Sequence, residues 1–266
     1  MDILRLFRQI LDDRSSIRLL NIYKGLPITH ETKLVAVGNS DIQVPGNRSH
    51  IACLYYQGES FLQSSALPNI VRSTVKSLNL AQDYAILTDF EVAGPMIGKR
   101  EQIRVEPDDT LIASIQFRGS AFEFMGSLAD VSVSGVSLLF EDFLFPTRLV
   151  QPGTEFQMSL SIPDFVARKM KKIPPRTGSD VRKFPAPVRP YSANGQEGHI
   201  VIKAGGRVVS IRPEADSKRY RMSAQVFFKD LSRMVILQYI SHRQAEIIND
   251  LRILSEDLYN RKDFLR

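Results

Sequence analysis

Two short motifs hold the residues best suited to bind a charged ligand. The first reads R-x-x-x-R, from Arg100 to Arg104, and the second reads D-x-S-x-x-G, through Asp130, Ser132 and Gly135. A guanidinium group presents a planar fork that matches phosphate oxygens or the Hoogsteen edge of guanine. An aspartate can accept from the donor edge of guanine, a serine can bridge, and a glycine lets backbone come close. These residue types suit a guanine nucleotide with several phosphates, and they include no group for chemistry on it.

Each motif alone also fits a simpler structural role. Arg100 and Arg104 lie four residues apart, so they share a face on either a helix or a strand, and Lys99 adds a third cation just before them. An isolated pair of this kind is usually a solvated surface pair. Asp130 and Ser132 could equally bond local backbone where a strand ends in a turn. The joint occurrence of the motifs, with a strand-like segment between them, favours a binding site.

The pattern of residues 1–94 predicts a small domain that contains both helices and strands. Apolar residues at helical spacing predict a helix within the first 13 residues. Short runs at Lys33–Val37, Ile51–Tyr56 and Tyr84–Phe90 predict strands. The apolar residues of segment 70–78 fit a helix, or a strand if tertiary contacts override them. Glycine and proline then predict a linker at 95–104, which carries the arginine motif.

Residues 105–230 predict an antiparallel β-barrel. Apolar and polar residues alternate strictly over 156–162 and 220–228. Further strand candidates are Thr110–Phe117, Ala121–Val131, Val136–Phe140 and His199–Ile211. Five or six short strands favour a small closed barrel, because closure removes exposed edges. The predicted fold class is mainly β with α (α+β): the mixed domain, a six-stranded barrel and a C-terminal helix.

A basic loop and a final helix complete the predicted organisation. The loop covers 168–198, and its prolines between Arg168 and Pro190 forbid a regular element there. Basic residues in that stretch stand against Asp180 alone. The C-terminal segment, 231–266, is assigned to a helix, and the helical pattern itself runs from Leu231 to about Lys262. Packing on the barrel is favoured over pairing in a homodimer, because the apolar repeat covers only two to three heptads.

Composition narrows the function classes. The 266 residues carry a formal charge of +6, which suits anionic partners. No apolar stretch reaches the roughly 18 residues needed to span a bilayer, and the amino terminus lacks the features of a signal peptide. The single cysteine, Cys53, excludes an intrachain disulfide and agrees with a reducing cytoplasm. Its apolar surroundings in the sequence predict an inert buried thiol.

The order and spacing of the two motifs resemble the PilZ domain, the bacterial receptor module for cyclic di-GMP. The second motif is followed by the strand-like run Val136–Phe140, and a turn leads into a strand at Pro152–Phe156, where the family has one. In that family the arginines wrap the ligand and stack on a base, and the aspartate and serine bind a guanine. The glycine permits the turn, and a neighbouring lysine can add a phosphate contact. The implied ligand-binding set is Lys99, Arg100, Arg104, Asp130, Ser132 and Gly135.

The whole chain resembles the YcgR-like flagellar-brake architecture. The resemblance implies an N-terminal domain (1–94), a linker (95–104), a PilZ barrel (105–230) and a C-terminal helix (231–266). It implies a cytoplasmic cyclic di-GMP receptor, associated in some cases with the flagellar basal body, with no cofactor or metal. Ligand binding would order the arginine segment and change the interdomain orientation. The expected output is control of motility or surface attachment through a protein such as a flagellar motor component. The 168–190 loop is longer than the family pattern and leaves that partner open.

Three other function classes compete with this interpretation. An enzyme is disfavoured, because the histidines at 30, 50, 199 and 242 lack metal-ligand spacing, and segment 94–99 is one residue short of a P-loop. Nucleic-acid binding through the basic 168–190 loop is the serious alternative, although aromatic residues for stacking are few there. The affinity for nucleic acid should then fall steeply with salt and should not depend on Asp130. A pure scaffold protein is the third possibility.

Overall fold

The computed structural model of the protein describes residues 2–94, 102–142, 145, 150–163, 199–214 and 217–260. The chain divides into two compact units. The N-terminal unit comprises Met1–Val105 with Gln244–Arg266, and the barrel unit comprises Glu106–Arg243. The predicted basic loop, the linker from residue 95 to residue 101 and the end of the final helix lie outside the described residues.

The N-terminal unit is built on a seven-stranded sheet in the order β2-β1-β5-β6-β7-β4-β3. Its elements are α1 (Ile3–Asp12), β1 (Ser16–Tyr23), β2 (Leu26–Lys33), β3 (Ala36–Val37), β4 (Ile42–Pro45), α2 (Arg48–Gln57), β5 (Glu59–Gln63), β6 (Val71–Asn79) and β7 (Tyr84–Val92). The helix predicted in the first 13 residues is confirmed, as is the strand predicted at Tyr84–Phe90. Asp2 caps the start of α1, because its side chain accepts from the backbone N–H of Arg5.

The strand predicted at Ile51–Tyr56 is wrong, because this segment lies within α2. The Asn47 side chain caps the helix by accepting from the backbone N–H of His50, and Gly58 ends it in the left-handed conformation. Four consecutive residues from Ile51 to Leu54 are buried, so the segment shows no amphipathic helical period. Segment 70–78 resolves as a strand, β6, because pairing with β5 and β7 overrides its helical spacing. The run predicted at Lys33–Val37 is divided between β2 and β3.

The barrel unit contains a closed antiparallel barrel, as the alternation predicted. The strands are β8 (Ile112–Phe117), β9 (Glu123–Val131), β10 (Gly135–Glu141), β11 (Glu155–Pro163), β12 (His199–Pro213) and β13 (Arg219–Phe228). Their order around the barrel is β10-β13-β12-β11-β8-β9. Two glycines make room for aromatic side chains in its interior. A Cβ on Gly206 would lie 2.3 Å from the Phe156 ring, and one on Gly126 would lie 2.8 Å from the Phe140 ring.

The chain closes with α3 (Asp230–Asn260), whose residues are shared by the two units. Within the barrel unit the buried residues of α3 include Ile236, Tyr239 and Ile240. The second half of α3 packs in the N-terminal unit, where Leu251 and Leu258 form a cluster with Ala52 and Cys53 of α2. The sequence predicted packing of this helix on the barrel, whereas its second half packs against α2 of the N-terminal unit. None of the described helices is long and apolar enough to cross a membrane.

Candidate functional site

The D-x-S-x-x-G motif forms the hairpin that joins β9 to β10. The backbone N–H of Ser132 donates to the carbonyl oxygen of Gly135 over 2.8 Å, and the Ser132 hydroxyl donates to the same oxygen over 3.2 Å. The backbone N–H of Val226 on β13 donates to the Ser134 carbonyl over 3.0 Å. The hairpin is therefore closed internally and attached to the neighbouring strand. Ser132 is 2% exposed, so its hydroxyl stabilises the turn in this arrangement.

A β-bulge decides which way Asp130 faces. Asp130 lies opposite Ser137, but the next paired residues are Leu128 and Leu138, so Ala129 is an extra residue in β9. Without it, Leu128 and Asp130 would share a face, because side chains alternate along a strand. The buried Leu128 and Leu138 fill the barrel interior. The inserted residue therefore turns the Asp130 carboxylate to the outer face.

Four short side chains form a row across this outer face. Strand pairing places Asp130 beside Ser137, Ser137 beside Ser223, and Ser223 beside Ser210, on the adjacent strands β9, β10, β13 and β12. The next row contains Leu139, Arg221 and Arg212. Small hydroxyl side chains therefore lie next to two long guanidinium side chains on this face. Such a surface suits an anionic ligand that offers several hydrogen-bonding groups.

Arg221 links two carboxylates beside this row. Its Nε lies 2.7 Å from Glu214 Oε1 and its Nη2 lies 3.3 Å from Glu214 Oε2, a two-pronged contact. Its Nη1 lies 3.6 Å from Asp130 Oδ2. The hydrogen bond from Arg221 lowers the pKa of Glu214. Arg221 has no local sequence signal, because only the pairing of β13 with β10 and β12 brings it to Asp130.

The arginine motif is only partly described. Arg104 is half-buried and belongs to the N-terminal unit, while Lys99 and Arg100 lie outside the described residues. The structure therefore brings together Asp130, Ser132 and Gly135 in one hairpin, and the arginines of the motif remain a prediction.

The segment that follows Arg104 is attached to α3. Arg243 is 3% exposed, and its Nε donates to the Glu106 carbonyl oxygen over 2.8 Å. Its Nη2 lies 3.1 Å from Asp108 Oδ1. A buried guanidinium therefore fixes the chain directly after the predicted ligand-binding arginines.

Several solved structures are similar to this chain at low sequence identity. The MrkH–c-di-GMP complex of K. pneumonia is 12% identical, with 94% of this chain and 95% of that chain covered and a TM-score of 0.41. The inhibitor of motility MotI/DgrA of Bacillus subtilis is 14% identical, with 88% and 97% covered and a TM-score of 0.40. The PilZ domain with c-di-GMP of YcgR from Escherichia coli is 15% identical, with 57% and 96% covered and a TM-score of 0.36.

A PilZ domain is thus among these similar structures. The sequence matches no protein-family model and no curated protein sequence.

Groups that could support catalysis or metal binding are sparse in the described part of the chain. No cluster of three or more His, Cys, Asp or Glu side chains could hold a metal ion there. Burial raises the pKa of the Cys53 thiol to about 12, so it stays protonated and is a poor nucleophile. The rings of His30 and His50, distant in sequence, lie 6.0 Å apart. Burial, and then the neighbouring His30, lowers the pKa of His50 to about 4.

Proposed function

We propose that this protein is a PilZ-type receptor for cyclic di-GMP, with no catalytic activity of its own. The observation that carries the proposal is the placement of the D-x-S-x-x-G motif at one hairpin of a closed six-stranded barrel. The bulge at Ala129 turns Asp130 to the outer face, next to a row of serines and close to Arg221. The arginine motif precedes the barrel by a few residues and supplies further cations.

Each motif residue has a role in the proposed complex. Asp130 accepts the two donors of the guanine Watson–Crick edge, and Arg100 and Arg104 contact the phosphates and stack on a base. Lys99 adds a phosphate contact. The Ser132 hydroxyl donates to the Gly135 carbonyl and keeps acceptor lone pairs, so it can bridge to the ligand if the hairpin loop opens.

The proposed signal is a change in the orientation of the two domains. The arginine segment lies in the proposed linker, 95–104, between an N-terminal domain (1–94) and a PilZ barrel (105–230). Capture of a doubly charged ligand by that segment would order it and bias the angle between the domains, an order–disorder switch. The output is regulation of motility or attachment through a protein partner, such as a flagellar motor component at the basal body.

Titration calorimetry with cyclic di-GMP tests the proposed function. We expect Arg104→Ala to weaken binding by about tenfold or more, because one charge-assisted hydrogen bond contributes roughly 1.5–3 kcal/mol. Arg118→Ala is the matched control and should keep its affinity. Arg118 directly follows β8, its side chain is 79% exposed, and it pairs with Glu155 at 2.6 Å. Full affinity in a folded Arg104→Ala variant would refute the assignment of the arginine motif.

A further inference from the structure

A chain of three charged side chains runs across the outer face of the barrel from Glu214 through Arg221 to Asp130. Arg221 uses Nε and Nη2 on Glu214, at 2.7 and 3.3 Å, which fixes the plane of its guanidinium. The remaining nitrogen, Nη1, lies 3.6 Å from Asp130 Oδ2. That separation is longer than a hydrogen bond but close enough for an electrostatic attraction between two largely buried side chains.

Strand pairing explains why Glu214 is needed. Arg221 on β13 lies directly opposite Arg212 on β12, and like charges in that position repel. The Glu214 carboxylate compensates for this, since Arg221, Arg212 and Arg219 all lower its pKa. Glu214 therefore holds Arg221 in place against the repulsion, with Nη1 directed to the Asp130 carboxylate.

The contact with Arg221 can orient the Asp130 carboxylate before a ligand binds. Its side chain is 12% exposed, and Arg221 is 25% exposed. The terminal torsion of an aspartate is broad, so its carboxylate can adopt a range of orientations. An attraction on Oδ2 narrows that range before a ligand arrives, and preorganisation of this kind increases affinity without a new ligand contact.

We propose that Arg221 is a positioning residue that sets the preference of the site for guanine over adenine. The inference rests on the proposed function. A guanine offers two donors to a carboxylate, N1–H and the exocyclic amino group, whereas adenine has an acceptor at N1. A carboxylate can accept both guanine hydrogen bonds only when its plane is aligned with the base. Sites that hydrogen-bond a ligand in this way strongly disfavour an analogue that lacks the donors. Arg221 biases that plane by attracting Oδ2, and the two hydrogen bonds to Glu214 keep Arg221 in position.

The test measures the affinities of the full chain for cyclic di-GMP and for cyclic di-AMP, which carries adenine in place of guanine. Both ligands have the same phosphate charge, so the ratio of their affinities is insensitive to a general change in protein charge. In Arg221→Gln we expect cyclic di-GMP affinity to fall about tenfold and cyclic di-AMP affinity to change much less. Arg221→Lys keeps the positive charge but loses the planar guanidinium. It should retain only part of the preference for cyclic di-GMP over cyclic di-AMP.

Arg207→Gln is the matched control. Arg207 also lies on β12 and also pairs with a glutamate, Glu155 at 3.3 Å, but it is in contact with neither Asp130 nor Glu214 through any described ion pair. This variant loses the same charge and should keep the guanine preference of the unaltered protein. If Arg221→Gln fails to fold, as judged by circular dichroism, Glu214→Gln releases the same anchor with almost no change in volume and should lower the ratio.

The outcomes separate the two proposals. A chain that binds cyclic di-GMP, loses binding in Asp130→Ala and yet keeps its guanine preference in folded Arg221→Gln or Glu214→Gln overturns the role of Arg221 alone. A chain that binds neither cyclic dinucleotide overturns the proposed function and this inference together. A selective fall in guanine preference in the Arg221 and Glu214 variants, with the Arg207 control unchanged, supports the inference.

Discussion

The guanidinium of Arg243 donates from Nε to the backbone carbonyl oxygen of Glu106 over 2.8 Å. It also pairs with Asp108, while its own side chain is 3% exposed. This contact fixes the barrel-unit end of the segment that carries the arginine motif.

Arg243→Ala should therefore destabilise the protein. The substitution removes a charged hydrogen bond, leaves the Glu106 carbonyl without this donor and opens space at a buried position, at a cost of roughly 2–4 kcal/mol. Arg252→Ala on the same helix is the control, because its i,i+4 pair with Glu256 is exposed and contributes a few tenths of a kcal/mol at most. Urea unfolding of both variants checks the difference. Equal losses of stability would contradict the role of Arg243.

His50 should make the N-terminal unit sensitive to acid. It is fully buried, and its ring nitrogens have no hydrogen-bond partner among the described residues. Burial lowers its pKa to about 4 from an ordinary value of 6.5, so the unfolded chain binds the proton first as the pH falls. The free energy of unfolding should thus decrease below about pH 6.5, by about 2 kcal/mol between pH 7 and pH 5.

Urea unfolding across that pH range measures the effect of His50. His50→Phe should remove most of the slope between pH 7 and pH 5. His30→Gln should keep most of it, because burial is the larger cause of the shift and His30 the smaller one. An unchanged slope in folded His50→Phe would assign the acid sensitivity to other groups.

Two adjacent glycines of β12 should differ sharply in their tolerance of a methyl group. A Cβ on Gly206 would lie 2.3 Å from the Phe156 ring and 2.8 Å from the backbone oxygen of Gln225, whereas nothing lies nearer than 3.6 Å to one on Gly205. Gly206→Ala should cost roughly 1–3 kcal/mol through overpacking of the barrel interior. Gly205→Ala should be close to neutral. Thermal unfolding of the two variants compares them directly, and similar melting temperatures would be evidence against this packing.

Salt dependence should distinguish a cyclic dinucleotide receptor from a nucleic-acid-binding barrel. Binding of a single-stranded oligonucleotide through a basic loop would weaken steeply between about 50 and 200 mM salt and would not depend on Asp130. Binding of cyclic di-GMP should require Asp130 and change far less with salt. Fluorescence anisotropy with both labelled ligands makes the comparison. Tight oligonucleotide binding that survives Asp130→Ala, without cyclic di-GMP binding, would favour the alternative.

The sequence predicts the barrel well and the orientation of its site poorly. Strict alternation between Phe156 and Ile162 marks β11 directly, because one face of that strand is buried and the other is only partly covered. Helix α2 is missed, since Ile51–Leu54 are buried in succession and the burial depends on contacts with other elements. Tertiary packing, rather than local periodicity, decides this segment.

The site depends on features with no local sequence signal. The direction of the Asp130 side chain follows from the bulge at Ala129, and a shift of one residue in register would turn it into the barrel. The approach of Arg221 to Asp130 needs β13 to pair with β10, although about 80 residues of chain separate those strands in sequence. The chemistry of the D-x-S-x-x-G motif could be predicted from residue types, but its supporting residues could not.

The assignment of Asp130 as a guanine-binding residue can be measured by titration calorimetry of cyclic di-GMP into the full chain and into its Asp130→Ala variant. We expect saturable binding with a defined stoichiometry for the unaltered protein, and a loss of affinity of at least about tenfold for the folded variant. Absence of binding to the unaltered protein, or equal affinity in the two proteins, would refute the proposed receptor function.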